Sequence, residues 1–140
     1  MSRRLMQLVA VLVLGLCTSP ARGAEPTRED AVLAAKGWLA LVDAGKHDES
    51  WDQSGASFRQ AVTKPQWSQA LAGARIPLGA LVSRELESAT ETSTLPGAPD
   101  GKYVVMQFRT SFANKASAVE TVTTSLEADA RWRVVGYYIK

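Results

Sequence analysis

At Pro77 the hydrophobic period of this 140-residue chain changes from about 3.6 residues to 2. Helix-forming sequence lies before that point and strand-forming sequence after it. Helices followed by consecutive strands make an α+β domain. The expectation is three N-terminal helices packed on a curved four-stranded antiparallel meander.

The helical half has clear starts and stops. Thr27 is placed to cap a first helix, with Glu29 and Asp30 in the first turn, where acidic groups suit the helix dipole. Ala31, Ala35, Trp38, Leu39 and Val42 then recur every three or four residues and form its inward stripe. Gly45 suits the left-handed position just past the end. A second helix is expected around 48–54, anchored by Trp51, and its pattern continues over 56–62 with Phe58. Thr63-Lys64-Pro65 reads as a fresh helix start, Trp67, Ala70 and Leu71 as its apolar stripe, and Gly73 as its frayed end.

Strands are expected over 78–94, 102–113, 118–127 and 131–139, separated by turn-rich sequence such as Leu95-Pro-Gly-Ala-Pro-Asp-Gly101. The first alternates Leu78, Ala80, Val82 and Leu86 against Ser83, Glu85 and Glu87. The second is long for a small domain and calls for a bend or bulge. With Asn114-Lys115 as a two-residue loop, Arg109 faces Glu120. With Ala128-Asp129-Ala130 as a three-residue loop, Leu126 faces Trp132. One sheet face then carries Tyr103, Gln107, Arg109, Glu120, Thr124, Trp132 and Tyr138. The other carries Val104, Met106, Phe108, Phe112, Val119, Val135 and Ile139 and forms the core. A slip of one residue in either turn exchanges these sets.

Residues 1–23 read as a secretory signal: Arg3 and Arg4, an apolar run over 5–17, then Ala21-Arg22-Gly23. Cleavage fits after Gly23 or after Ala24. The apolar run is shorter than the roughly 20 residues a membrane-spanning helix needs, so no stable membrane insertion is expected after cleavage. Leu16 before Cys17 does not fit a lipidation site, and removal of Cys17 leaves a chain without disulfides. The localisation expected is periplasmic or secreted, with residues 24–140 forming one domain. The whole chain has 16 basic and 14 acidic residues. Losing Arg3, Arg4 and Arg22 leaves 13 basic against 14 acidic, a net charge of −1. A near-neutral surface offers no footprint for nucleic acid.

Catalytic chemistry finds little support in the residue pattern. His47, the only histidine, sits in a turn beside Lys46 and Asp48 and reads as solvated. One histidine and no remaining cysteine make a poor zinc set, and no cofactor is implied. The strand hydroxyls lack an activating base. Trp38, Trp51 and Trp67 read as core anchors. Candidate pocket residues are Tyr103, Arg109, Glu120, Trp132 and Tyr138 on the amphipathic sheet face, with Arg75 at the helix-to-sheet junction. Arg75 has two readings, closing a pocket or satisfying helix C-terminal carbonyls, the second favoured.

Several ordered segments together resemble a bacterial family, domain of unknown function 4019. They are Trp38-Leu-Ala-Leu-Val-Asp-Ala-Gly45, Ser50-Trp51, Phe58, Trp67, Arg75-Ile-Pro-Leu-Gly79, Leu95-Pro-Gly-Ala-Pro-Asp-Gly-Lys-Tyr103, Val119-Glu-Thr-Val-Thr123 and Trp132-Arg-Val-Val-Gly-Tyr-Tyr-Ile139. His47 stands where an aromatic suits that pattern, and Ala130 where a glycine would ease the turn. The family brings no activity or catalytic residue to carry over. The order of elements also resembles the cystatin-like or NTF2-like cone, a class that hosts enzymes and binders alike. The function expected is a non-enzymatic exported module binding a small ligand or an envelope protein. The alternatives are a small hydrolase or isomerase using carboxylate, arginine and tyrosine, and a structural envelope protein engaged through a sheet edge.

Overall fold

A computed structural model describes residues 24–140. The signal-peptide reading, Cys17 included, lies outside them. The first helix, α1 (Arg28–Asp43), begins in a reciprocal cap: Thr27 Oγ1 accepts from the Asp30 N–H at 3.2 Å and Asp30 Oδ2 accepts from the Thr27 N–H at 2.8 Å. Its buried residues are Ala31, Ala35, Trp38, Leu39 and Val42, the stripe expected from the spacing. Gly45 ends it with φ of +74°. Two short helices follow, α2 (His47–Asp52) and α3 (Ala56–Ala61).

Gly55 separates α2 from α3, and here the expected single helix divides. Its N–H donates to the Val134 carbonyl at 2.7 Å, so it is committed to the sheet. A Cβ at this position would stand 2.6 Å from both Glu127 Oε1 and Val135 Cγ1. The fourth helix, α4 (Lys64–Arg75), opens on a second reciprocal cap between Thr63 and Gln66, with Pro65 in its first turn. It passes through Gly73 rather than fraying there. Trp67, Leu71 and Arg75, spaced by four, form its buried stripe. Among the described residues the α-helices number four, where three were expected.

Four antiparallel strands make one sheet in the order β1 (Leu81–Thr92), β2 (Tyr103–Phe112), β3 (Lys115–Leu126), β4 (Trp132–Ile139). A 3₁₀ turn at Ile76–Leu78 and Gly79 at φ +76° delay the first strand by three residues. Bulges between Leu81 and Ser83 and between Leu86 and Ser88 then break the simple alternation. Val82, expected inside, is 67 % exposed, while Arg84 turns inward. The long strand pair is also bulged, between Thr110 and Phe112.

The β2–β3 register corrects the expected one by a residue. Ala113 and Asn114 form the loop, with Phe112 opposite Lys115. The Asn114 side chain donates to the Pro77 carbonyl at 3.1 Å, and the backbone N–H groups of Asn114 and Ala113 reach the Leu78 and Ala80 carbonyls. This docking onto the 3₁₀ segment sets the loop. Phe108 therefore faces Glu120, and Arg109 faces Val119. Val119, expected in the core, leaves it, and Glu120 and Thr124 enter. The β3–β4 turn follows the expected loop: Leu126 faces Trp132, and Ala130 takes φ +62°.

The helices cover one sheet face. Val104, Met106, Phe108, Val122 and Val134 meet the stripes of α1 and α4 in the core. Tryptophans lock the helices together. Trp38 Nε1 donates to the Ser50 carbonyl at 2.9 Å, Trp67 Nε1 to Ser50 Oγ at 2.9 Å, and Trp51 Nε1 to the Val62 carbonyl at 2.8 Å. Each large ring thus packs and satisfies its polar atom. Among the described residues no helix is long and apolar enough to cross a membrane.

Candidate functional site

The six residues expected at a pocket are divided among three places. Tyr103 and Arg109 lie on the sheet face away from the helices, together with Tyr138. Tyr103 is buried beneath residues 95–101, its hydroxyl donating to the Pro99 carbonyl at 2.6 Å. Arg109 is exposed and pairs with Glu87 of β1 at 2.9 Å. Tyr138 is half-exposed, with Lys140 Nζ 5.9 Å from its ring centre. Trp132 sits at the far end of the sheet against the core edge, its Nε1 buried without a partner. Glu120 and Arg75 are inside.

Those two belong to a cluster that sequence reasoning missed, because Asp43 and Arg84 complete it. Arg84 donates from Nη1 to Asp43 Oδ2 at 2.7 Å and from Nη2 to Asp43 Oδ1 at 3.0 Å. It also donates from Nε to Glu120 Oε1 at 2.7 Å and from Nη2 to Glu120 Oε2 at 3.2 Å. Arg75 Nη2 reaches Asp43 Oδ1 at 2.9 Å, and its guanidinium lies 4.7 Å from the centre of the Phe112 ring. Arg75 thus ties α4 to α1, while its buried Nε and Nη1 have no hydrogen-bond partner among the described residues. The Thr110 hydroxyl donates to Glu120 Oε1 at 2.6 Å and the Tyr137 hydroxyl to Glu120 Oε2.

Two arginines balance two carboxylates, and Glu120 is fully buried at 0 % exposure. Burial opposes ionisation of Asp43, yet hydrogen bonds from Arg84 and Arg75 outweigh it and hold the carboxyl below its ordinary value. Burial also works against the Arg84 cation, but its bonds to Asp43 and Glu120 raise its pKa. Burial first, and the adjacent Glu120 charge second, push the Tyr137 hydroxyl upward. Every carboxylate oxygen in the cluster already accepts at least one hydrogen bond. Such a bonded set ties β1, β2, β3 and the two long helices together. One signal for Asp43 was available: Ala31, Ala35, Leu39 and Asp43 share one four-residue spacing, which carries the buried stripe to a carboxylate.

Tyr137 connects this cluster to an open surface. Its hydroxyl is held by Glu120, while its ring helps wall a groove of ≈ 500 Å³ between α4 and β4. Trp67, Ala70, Leu71 and Ala74 form the helical wall, following the helical repeat at 67, 70, 71 and 74. Tyr137 and Ile139 form the strand wall, and Lys115 and Lys140 contribute the charged groups. None of the lining residues is acidic. A second groove, ≈ 580 Å³, separates α1 from the β3–β4 hairpin. Trp132 and Leu41 line it beside Asp52, Arg131 and Arg133, so its character is mixed. Concave surfaces dominated by apolar groups with few polar ones are those suited to small ligands. The first groove meets that description.

A family model described as Protein of unknown function (DUF4019) matches residues 34–137, which include Asp43, Arg75, Arg84, Glu120 and Tyr137. No curated protein matches the chain.

Proposed function

The chain belongs to the DUF4019 family of proteins of unknown function, and for it we propose a non-enzymatic binding module exported to the periplasm or the medium. The observation that carries this reading is the contrast between the two assemblies. The buried carboxylates are each taken up by arginine, whereas the α4–β4 groove is open, apolar and cationic at its edge. Of the sequence-derived set, Tyr138 alone borders that groove, at the edge strand, while Tyr137 and Ile139 form its strand wall. The layered arrangement is in keeping with a cystatin-like or NTF2-like cone whose interior is filled by side chains, leaving binding to the outside.

Native mass spectrometry of protein taken from its source envelope fraction tests the binding role. A mass excess that disappears in Ala74→Trp, with the fold kept by circular dichroism, supports it. A bare polypeptide mass for both proteins, isolated without detergent, speaks against it. Export is tested by the mature N-terminus: residue 24 or 25 is expected first in the envelope fraction. Full-length protein confined to the cytosol overturns that part.

A further inference from the structure

We propose that the α4–β4 groove takes a single-chain amphiphile with an acidic head, of the aliphatic carboxylate class. This deepens the binding reading and rests on it. The apolar length is supplied by Leu71, Ala70 and Ala74 on one side and Tyr137 and Ile139 on the other. From Trp67 to Ala74 the helical wall runs about 10 Å at 1.5 Å per residue. Ala70 and Ala74 are exposed and short, so α4 stands back from the strand where larger side chains would close the gap.

Charge selects the head group. Among the described residues lining the groove, Lys115 and Lys140 are the charged ones, and both are basic. The buried carboxylates nearby are already neutralised by Arg75 and Arg84, so no net negative field behind the wall opposes an anion. Lys140 ends β4 at the rim of the groove, and its long side chain sets a cation at that end.

The competing occupant is an extended peptide added to the sheet edge, and the edge is poorly suited to it. Gly55 already occupies the outward carbonyl of Val134. Val119 and Lys140 exchange both backbone hydrogen bonds, at 3.0 and 2.9 Å. By the alternation of antiparallel ladders, Tyr138 then also points its backbone at β3, leaving Tyr137 and Ile139 to face outward. Two residues cover roughly 7 Å of strand, short of the several-residue ladder that strand addition uses. The groove binds through side chains.

The test uses the delipidated mature protein, Trp67 as reporter, and a bromine-labelled C18 carboxylate as quencher. Saturable quenching is expected below the aggregation point of the ligand. Unlabelled carboxylates should displace it about tenfold better for every two methylenes added, until the chain outruns the groove. The Lys115→Glu/Lys140→Glu double variant should bind the carboxylate at least tenfold more weakly and the matching C18 alcohol unchanged. Ala74→Trp should abolish binding of both, and its circular dichroism and melting curve show whether it is folded. Equal affinity for alcohol and carboxylate in the native protein overturns the acidic-head inference and keeps the groove as a binding site. Displacement by extended peptides but not by amphiphiles overturns it in favour of edge pairing. Absence of saturable quenching by either chain overturns the amphiphile inference. A retained ligand of other chemistry by native mass spectrometry would then leave the general binding role standing.

Discussion

Arg84 donates to both carboxylates of the buried cluster, and among the described residues neither has a second cation able to replace it fully: Glu120 has none, and Asp43 keeps only Arg75. Replacing it with methionine leaves a carboxylate at 0 % exposure facing Thr110 and Tyr137 alone. Removing one member of a buried pair costs about 3–5 kcal/mol. Urea unfolding of Arg84→Met at pH 7 should show a loss of that size, with part of it recovered when Glu120→Gln and Asp43→Asn are added. A loss under 1 kcal/mol would mean that the carboxylates find water in the variant. The same cluster sets an acid limit. The Asp43 carboxyl is held below the ordinary aspartate value of 3.8, so it binds its proton less readily folded than unfolded. Its stabilisation is present above that ordinary value and is lost as the pH falls through the folded value. Stability should therefore be level near neutrality and fall below about pH 4, and Asp43→Asn, less stable near neutrality, should show a shallower fall there. An equally steep acid slope in Asp43→Asn would place the effect on other carboxylates.

Element boundaries were legible wherever the deciding contact lies within a few residues. Thr27 with Asp30 and Thr63 with Gln66 are such cases, and both helix starts follow from sequence. The β3–β4 loop is another, since three residues and their neighbours determine it. Ala130 there adopts φ +62°, a conformation that costs a residue with a Cβ roughly 1 kcal/mol or more. Its N–H donates to the Glu127 carbonyl at 2.9 Å, which holds it in place. Ala130→Gly should raise stability by about 0.5–1 kcal/mol, the relief of strain being partly offset by glycine's greater freedom when unfolded. A lower denaturation midpoint would contradict this. Thr63→Ala should cost about 1 kcal/mol through the lost cap. The β2–β3 loop shows the opposite situation. Its position depends on Asn114 reaching Pro77, 37 residues away, and no local pattern announces that bond. The resulting shift of one residue moved Glu120 from a surface partner of Arg109 to the centre of the buried cluster. Gly55 was missed as a helix break for the same reason, since its partner Val134 is remote.

Across the whole molecule, the sheet is unevenly secured. On β2 six side chains are buried, and β3 carries five more. On β1 none is buried; Leu81, Arg84, Ala89 and Thr92 are half-buried and the other eight are exposed. The opposite edge, β4, is tied to the helices by the Gly55 bond and by Tyr137. Arg84 is therefore the chief polar tie between β1 and the rest, joining it to α1 through Asp43 and to β3 through Glu120. Protection of an amide follows the free energy of the smallest opening that exposes it, and a strand with few buried contacts opens first. In native-state hydrogen exchange at rising urea, amides of β2 that bond to β3 should exchange only through global unfolding. Amides of β1 should exchange through a smaller opening with weaker urea dependence. Arg84→Met should lower protection in β1 beyond its effect on global stability, because the tie itself is gone. If β1 amides follow the global isotherm in both proteins, the strand is held by its ladder to β2 alone. The buried charge cluster would then act on the core and on the Tyr137 wall of the groove, not on the sheet edge.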